Sequence, residues 1–189
     1  MGRLVVKKDS VDKAAIKLFA QKGIKDVLTV EIAAEAGTAD ATFYNHYANK
    51  GEMVWQLYRN ESEQFSKGLA KVFKSDGEAK ETLEKVVCYI YKYYETKPHQ
   101  FLFALRNQYN FPEEEKWIDE KDDSTVMMAK YISKIKLREC YKNTNPFIVA
   151  GLVMGLVMNP VILHSHGKII EPISTYIPNV TEAVNCLLF

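Results

Sequence analysis

No large excess of one charge is present in this sequence. Twenty-five Lys and Arg residues face 24 Asp and Glu residues, which gives a formal net charge of +1. The first 55 residues are equally balanced, with eight basic against seven acidic side chains. No strong field of the chain as a whole therefore favours nucleic acid or an anionic membrane. An apolar share of 47% is ample for a core and argues against disorder.

Cysteines are few, and none is paired in a metal or redox motif. Cys88, Cys140 and Cys186 are odd in number and widely spaced, which is typical of reduced thiols in a cytosolic protein. The first residues, MGRLVVKKDS, contain only a short apolar stretch before charges resume, and this is unlike a secretory signal. We therefore expect the protein in the cytoplasm.

Motifs of catalysis and metal binding are also missing. The sequence has no Gly-rich phosphate loop, no nucleophile elbow and no paired carboxylates on an apolar background. His164 and His166 lie two residues apart, so a helix would point them to different sides, and no acid or cysteine lies beside them. We expect neither an enzyme, nor a metal site, nor a cofactor.

One long hydrophobic run is present, FIVAGLVMGLVMNPVIL at residues 147–163. Its length is close to that of a minimal membrane span, and Gly151 and Gly155 have the spacing used for close helix contact in membranes. Asn159 and Pro160 interrupt the run near its end. A buried helix at a subunit interface explains the same pattern, and the otherwise soluble character of the chain favours that interpretation over membrane insertion.

Helical spacing of apolar residues extends over almost the whole chain, and no alternating strand pattern is evident. The pattern predicts a first helix beginning at Asp9 or Ser10 and ending at Gly23, with caps at both ends. A second, short helix is expected after a cap at Thr29, and a third from Asp40 to about Tyr47. These three short helices precede a longer one.

The later helices are predicted from capping signals and apolar periodicity. Asn49 with Glu52 resembles a capping box that opens a long fourth helix, to about Lys74. Further helices are expected over residues 79–96, 99–111, 124–141, from Pro146 through the apolar run, and 180–188. The acidic stretch PEEEKWIDEKDD, residues 112–123, predicts a solvated loop. The sequence thus predicts an all-α fold of about nine helices.

Two short helices that meet at Ala36-Gly37-Thr38 have the layout of a helix-turn-helix. The run from Ala14 to Met53, AAIKLFAQKG…IAAEAGTADATFYNHYANKGEM, closely resembles the N-terminal domain of TetR-type (tetracycline-repressor-like) transcriptional regulators. The resemblance covers about the first 55 residues without gaps. It implies a helix-turn-helix DNA-binding domain over residues 1–50 and a helical domain for effector binding and dimerisation over residues 51–189.

Three residues depart from the usual pattern of that family. Leu28 stands where a Ser or Thr commonly caps the second helix, and Ala39 stands where a Ser commonly begins the recognition helix. Asp40 occupies a position that is often basic or polar. Its carboxylate either repels phosphate or complements the helix N-terminal dipole, and we favour the second explanation.

A helical wheel separates the rings of the third helix. Phe43 and Tyr47 share one face and should pack on the first two helices. The opposite face is predicted to read base edges, and its flanks to contact phosphates. The predicted base-reading residues are Ala41, Thr42 and Asn45; the predicted phosphate contacts are Tyr44, His46 and, by resemblance to the family's lysine, Lys50.

The resemblance also implies a ligand pocket in the C-terminal helices and a dimer interface formed by the last two long ones. The dense aromatic residues of the middle of the chain suggest a cavity for an apolar or aromatic effector, although most of them fit a plain core equally well. The predicted ligand contacts are Tyr89, Tyr93, Phe103, Arg106, Asn107, Tyr109, Met128 and Tyr131. The predicted dimer contacts are Gly151, Met154, Gly155, Met158, Val184 and Leu187.

The resemblance leads to the expectation of a TetR-like regulator, a repressor that binds a palindromic operator as a homodimer. Its partners would be double-stranded DNA, a second copy of the chain and a small-molecule effector, with no membrane. A protein-binding adaptor or coactivator that has lost DNA binding is the alternative, because the helix-turn-helix is only weakly charged.

Overall fold

The computed structural model describes residues 8–75, 77–108 and 123–189, and the regular structure in these residues is entirely helical. The helices are α1 Lys8–Lys22, α2 Thr29–Glu35, α3 Asp40–Tyr44, α4 Lys50–Phe73, α5 Ala79–Thr96, α6 Pro98–Asn107, α7 Ser124–Ile132, α8 Pro146–Ser165 and α9 Ile177–Leu188. Two 3₁₀ turns, Glu139–Tyr141 and Ile173–Tyr176, precede α8 and α9. The predicted all-α fold is confirmed.

The starts of the early helices differ in part from the prediction. Helix α1 begins at Lys8, so Asp9 and Ser10 lie in its first turn and do not cap it. The N-cap of α2 is Leu28 and not Thr29, since Thr29 is the first helical residue, and the Glu31 carboxylate accepts the Leu28 N–H at 2.8 Å. Glu31, the third residue of the helix, thus supplies one of the hydrogen bonds of a capping box although the cap residue itself is apolar.

The capping signal predicted for α4 is confirmed. The Asn49 side-chain oxygen accepts a hydrogen bond from the Glu52 N–H at 2.9 Å. In return, the Glu52 carboxylate accepts the N–H of Ala48 at 2.8 Å. Both bonds supply partners to backbone donors that a helix start leaves open.

Helix α7 is shorter than predicted, whereas α5 has the predicted bounds. Helix α7 ends at Ile132 and not near residue 141, and the following chain is tied elsewhere because the Arg138 N–H donates to the Leu188 carbonyl at 2.8 Å. Asp123 caps the start of α7 by accepting two backbone N–H groups. The rest of the predicted acidic loop, residues 112–122, lies outside the described residues.

Helix α8 continues through Asn159 and Pro160, the two residues that interrupt the apolar run, to Ser165. A proline costs a helix one backbone hydrogen bond, and the apolar packing of the neighbouring turns outweighs this loss. Val153, Val157 and Val161 are buried along one side of α8. Within the described residues α8 is long and apolar enough to span a membrane, with 28% of its apolar window buried; a core or interface helix meets the same criteria.

The chain forms two compact units. The first contains α1, α2, α3, α4 as far as Glu61, and α6; the second contains α4 from Ser62, α5 and α7 to α9. In the first unit α1 packs against α2 and α6, and α2 packs against α3. The core of this unit includes the fully buried rings of Phe19, Phe43 and Phe103.

In the second unit α5 packs against α9, and α7 packs against α8. Its core is formed largely by aliphatic residues, among them Leu83 and Ile90 of α5, Val153 of α8 and Val184 of α9. The domain boundary predicted at residue 50 separates a DNA-binding part of the chain from an effector-binding part. The packing of the helices does not test that functional division, so the boundary stays a prediction.

Candidate nucleic-acid interface

A tight corner joins α2 to α3. Gly37 has a φ of +68°, a left-handed conformation that glycine adopts without steric cost. The Thr38 N–H donates to the Ala33 carbonyl at 2.9 Å, and the Thr38 hydroxyl donates to the Thr42 hydroxyl oxygen at 2.8 Å. These bonds fix the direction in which α3 leaves the corner.

The inner face of α3 contains the two rings that the helical wheel placed there. Phe43 is fully buried, Tyr47 is 2% exposed, and their ring centroids are 6.0 Å apart. The Tyr47 hydroxyl donates to the Asp12 carboxylate of α1 at 2.6 Å, and the Lys8 ammonium lies over the Tyr47 ring. The core role predicted for Phe43 and Tyr47 is confirmed.

This polar connection sits in a partly desolvated environment. Burial raises the pKa of the Asp12 carboxyl above its ordinary value, although the hydrogen bond from Tyr47 and the charge of Lys8 oppose that shift. The link between α1 and the end of the helix-turn-helix therefore depends on a carboxyl group that is costly to ionise.

The outer face of α3 is open to solvent. Ala41 and Asn45 are exposed, Tyr44 is 55% exposed, and Thr42 and His46 are half-buried. The Tyr44 ring meets the Phe43 ring edge-on at a centroid distance of 5.1 Å, so its orientation is set by a buried neighbour. All five predicted DNA contacts in this region thus lie on or beside one accessible surface.

Helix α3 ends at Tyr44, three residues earlier than predicted. Asn45 is its C-cap, and the His46 and Tyr47 N–H groups both bond the Phe43 carbonyl. The chain turns here because Ala48, Asn49 and Glu52 form the start of α4 directly afterwards. Asn45 is therefore placed at the end of the recognition helix.

Lys50 is directed into the protein. Its ammonium donates to the Ile24 and Val27 carbonyls, each at 2.9 Å, and this fixes the start of α4 to the connection between α1 and α2. An ammonium has three hydrogens, so one remains for another acceptor. The geometry gives Lys50 a structural role that the sequence did not suggest, and its contact with phosphate stays a prediction.

The acids of α2 are neutralised by lysines of α1. Lys17 pairs with Glu35 at 2.5 Å, and Lys22 pairs with Glu31 at 2.6 Å. The hydrogen bonds that Glu31 accepts from Lys22 and from the Leu28 N–H lower the pKa of its carboxyl. Repulsion between α2 and a phosphate backbone is reduced accordingly.

The predicted effector contacts divide between the two units. In the first unit, Phe103 stacks on Phe19 at 5.9 Å, Arg106 donates to the Ala20 carbonyl, and Asn107 donates to the Phe103 carbonyl at 2.7 Å. These three residues all belong to the first unit. Tyr109 lies outside the described residues.

The second unit contains the other predicted effector contacts. Tyr89 and Tyr93 lie against the ring of Phe65, with centroids 5.4 and 5.2 Å away, and the Tyr89 hydroxyl donates to the Phe65 carbonyl. Met128 is fully buried, and Tyr131 stacks on Phe73 at 4.9 Å. These rings form an aromatic surface around the second half of α4.

Tyr91 belongs to the same aromatic stretch as Tyr89 and Tyr93. Its side chain is fully buried, its hydroxyl has no hydrogen-bond partner in the described part of the chain, and burial raises its pKa to about 12. Tyr89, Tyr91 and Tyr93 are equally aromatic in sequence, and only the fold distinguishes them.

The predicted dimer contacts have two different environments. Gly151 and Gly155 are exposed on α8, with no atom within 4 Å of an added Cβ, and Met154 and Met158 are half-buried. Leu187 is half-buried, whereas Val184 is fully buried. Val184 packs within its own protomer, and its predicted part in a dimer interface stays a prediction.

No group of three or more metal-ligating side chains occurs among residues 8–75, 77–108 and 123–189. His164, considered above as a ligand, instead pairs its Nδ1 with the Tyr94 hydroxyl at 2.9 Å, and the two rings meet edge-on.

Comparison with known proteins supports the helix-turn-helix interpretation. Residues 13–57 match the sequence model of the family described as bacterial regulatory proteins, tetR family. A 74-residue stretch is 31% identical to the fatty acid metabolism regulator protein of Bacillus subtilis (strain 168), and covers 39% of this chain and 38% of that protein. The chain thus matches well under half the length of this curated relative.

Solved structures of similar fold extend over nearly the whole chain. The regulator FadR from Bacillus subtilis, crystallised with stearoyl-CoA, has a TM-score of 0.75 at 18% identity and covers 94% of this chain and 97% of its own. The ketosteroid regulator KstR2 of Mycobacterium tuberculosis has a TM-score of 0.77 at 16% identity, with coverages of 99% and 97%. At these identities the likeness concerns the fold.

Proposed function

We propose that this chain, whose residues 13–57 match the sequence model of the tetR family of bacterial regulatory proteins, binds double-stranded operator DNA as a homodimer and represses transcription until a small molecule releases it. The observation that carries the proposal is the outer face of α3, where Ala41 and Asn45 are exposed while Phe43 beneath them is fully buried. Such a surface presents short polar and apolar groups on a rigidly packed helix, as reading of base edges requires.

Base reading is assigned to Ala41, Thr42 and Asn45. The small Ala41 side chain allows close approach to the major groove. The Thr42 hydroxyl oxygen already accepts from Thr38, so its own hydrogen remains for donation and its methyl for contact with thymine. Asn45 is suited to bidentate pairing with adenine, which gives a half-site with an A·T pair at this position.

Phosphate positioning is assigned to Tyr44, His46 and Lys50 on either side of that face. Tyr44 is more than half exposed, and its hydroxyl is 3.5 Å from the Thr29 hydroxyl, a separation too long for a strong bond. Lys50 contributes its remaining hydrogen and its charge. These contacts set the register of the protein on DNA and carry no sequence information of their own.

Selection of genomic DNA fragments with the purified protein tests this proposal. We expect recovery of a palindromic site whose affinity falls steeply with salt, because phosphate neutralisation releases counterions. Asn45→Ala should cost about 1–3 kcal/mol at one base position only, and Tyr44→Phe should weaken all sequences alike. Equal losses for Asn45→Ala on the selected site and on random DNA would contradict the assignment.

Homodimerisation is assigned to the exposed face of α8. Ile148, Leu152 and Leu156 are exposed there although they are large and apolar, and the two glycines between them leave room for a partner helix. Exposed apolar patches of this kind mark interaction surfaces, and a two-fold dimer buries the same patch of both copies. The cytoplasm is the expected location for such a regulator.

The effector is proposed to be a fatty acyl compound. The curated relative is named a fatty acid metabolism regulator, and one structure of similar fold contains stearoyl-CoA. The rings of Phe65, Tyr89 and Tyr93 provide apolar surface suited to an acyl chain. Stearoyl-CoA should release the protein from its selected site, whereas coenzyme A alone should not; release by neither compound would contradict this effector class.

A further inference from the structure

A strongly positive stretch of chain lies outside the helix-turn-helix, in the connection between α7 and α8. Its cations, all exposed, are Lys134, Lys136, Arg138 and Lys142. Glu139 is its one acid, so residues 133–145 have a net charge of +3. The whole chain, by contrast, has a formal net charge of +1. A local excess of this kind attracts anions over about 8 Å at physiological salt.

Most of these cations are not neutralised by a neighbouring acid. Lys142 pairs with Glu139 at 3.0 Å. In the described part of the chain, Lys134, Lys136 and Arg138 have no ion pair. Three positive charges of this connection are therefore available to an anion from outside the protein.

The same connection encloses a cleft of about 430 Å³, which belongs wholly to the second unit. Its walls include apolar side chains such as Ile132 and Ile135. Lys136, Lys142 and the half-buried ring of Tyr141 line it as well. The volume lies in the range of small-molecule sites. Cations beside an aromatic ring suit a ligand that has both an anionic group and a flat ring.

Main-chain hydrogen bonds fix the frame of this cleft. The Arg138 N–H donates to the Leu188 carbonyl of α9 at 2.8 Å, and the Tyr141 N–H donates to the Arg138 carbonyl at 3.0 Å. Asn145 caps the start of α8 by accepting the Phe147 N–H at 2.9 Å. A frame that is already ordered loses less entropy when a ligand binds.

Nucleotides combine the two groups that the cleft suits, because bases stack on aromatic side chains and phosphates bind Lys and Arg by charge-assisted hydrogen bonds. We propose that the cleft binds a nucleoside diphosphate group, with its base on Tyr141 and its phosphates towards Lys136, in the field of Lys134 and Arg138. The site goes beyond the operator and acyl sites proposed above and does not rest on them. A free nucleotide and the nucleotide part of coenzyme A both supply this group.

Calorimetry on the full chain with matched probes tests the class of ligand. ADP contains both groups, adenosine contains only the base, and pyrophosphate contains only the phosphates. We expect ADP to bind at least about tenfold more tightly than either fragment and to shift the backbone amides of residues 133–144 in ¹H–¹⁵N spectra. Coenzyme A distinguishes the two sources: tighter binding than that of ADP indicates a coenzyme A ligand, and equal or weaker binding indicates a free nucleotide.

Two matched variants test the location of the charge. Lys136→Gln removes a cation of the cleft, and Lys168→Gln makes the same change at an exposed residue beyond the end of α8. The 20 residues of α8 are about 30 Å long, so Lys168 lies several Debye lengths from the cleft at the start of that helix. Lys136→Gln should weaken ADP binding about fivefold, and Lys168→Gln should leave it unchanged.

A third variant tests stacking of the base. Tyr141→Leu should weaken ADP binding about tenfold and leave pyrophosphate binding unchanged, which also shows that the cleft still folds. Binding of ADP no tighter than that of pyrophosphate, equal effects of the two lysine variants, or ADP-induced shifts confined to other parts of the chain would each overturn the proposal.

Discussion

The interior of the first unit is organised differently from the interior of the second. In the first, polar side chains connect elements that are distant in sequence, as in the bonds from Tyr47 to Asp12, from Lys50 to the Ile24 and Val27 carbonyls, and from Arg106 to the Ala20 carbonyl. In the second, aliphatic residues of α5, α8 and α9 form the core. Directional bonds fix one geometry, which base reading needs, whereas apolar packing tolerates rearrangement around a ligand.

The largest effect is expected from a substitution in the core of the first unit. Phe43→Ala should reduce the free energy of unfolding by about 3–5 kcal/mol, because a fully buried ring is replaced by a cavity. Urea denaturation measures this loss. Tyr44→Ala, at the next position but exposed, is the control and should change stability by less than about 0.5 kcal/mol; similar losses in both variants would contradict the division of the two rings.

The next effect concerns the surface of the second unit. Gly151→Phe should weaken dimerisation by roughly tenfold to a hundredfold through overpacking, while the protomer stays folded because an added Cβ meets no atom within 4 Å. Sedimentation velocity over a concentration series measures the association. Lys168→Phe, exposed beyond the end of α8, serves as control, and an unchanged dimer in Gly151→Phe would place the interface elsewhere.

A single polar connection of the first unit is the third target. Tyr47→Phe removes the hydroxyl that donates to Asp12 at 2.6 Å and should cost about 1–2 kcal/mol of unfolding free energy. Operator affinity should fall as well, because the end of α3 loses its connection to α1. Thermal melts and DNA titrations check both outcomes. If Tyr47→Phe lost no more operator affinity than Tyr44→Phe, the hydrogen bond between Tyr47 and Asp12 would not be what positions α3.

Helix capping gives a smaller effect of opposite sign. Leu28 caps α2 without a polar side chain and is 61% exposed, so Leu28→Thr should add about 0.5–1 kcal/mol to the stability of the first unit. Asn49→Ala removes an existing cap of α4 and should cost about as much. Chemical denaturation compares the two, and a destabilised Leu28→Thr would indicate that the Leu28 side chain has a contact role.

The smallest effect depends on pH. One carboxylate oxygen of Glu61 is buried and accepts no hydrogen bond in the described part of the chain, and burial raises the pKa of this group, with Lys97 opposing the shift. A raised folded-state pKa means that stability falls as pH rises from the unfolded value near 4.5 through the folded one.

Glu61→Gln should therefore stabilise the protein at pH 7 by less than about 1 kcal/mol, given the partial exposure, and the gain should vanish below pH 4.5. Melting temperatures from pH 3.5 to 7.5 test this. Glu63→Gln on the same helix is a useful control, and a gain that is constant across this range would contradict the interpretation.

The sequence predicted more of the first unit than of the second. Phe43 and Tyr47 were placed in the core correctly because a helical wheel needs only local periodicity. The inward turn of Lys50 was not predictable, because its partners, the Ile24 and Val27 carbonyls, become neighbours only after folding. Local patterns thus gave the elements of the site and not the bonds between them.

The later chain was less predictable for the same physical reason. In the sequence, nothing distinguishes Val184 and Tyr91 from apolar and aromatic residues that lie at a surface. Both are fully buried in the fold. Helix α7 ends at Ile132, and Arg138, which the pattern placed in the same helix, bonds the far end of the chain at Leu188, a contact across 50 residues. Non-local contacts of this kind leave no local signal.

The place of α6 in the first unit has a practical consequence for experiments with fragments. Phe103 of α6 covers the ring of Phe19, and Arg106 binds the carbonyl of Ala20, although α6 begins at Pro98, 37 residues after the chain has left that unit at Glu61. A fragment that stops at residue 61 would expose the Phe19 ring and leave this end of α1 uncovered. Chimeras that exchange DNA specificity between regulators should therefore move α6 together with α1 to α4.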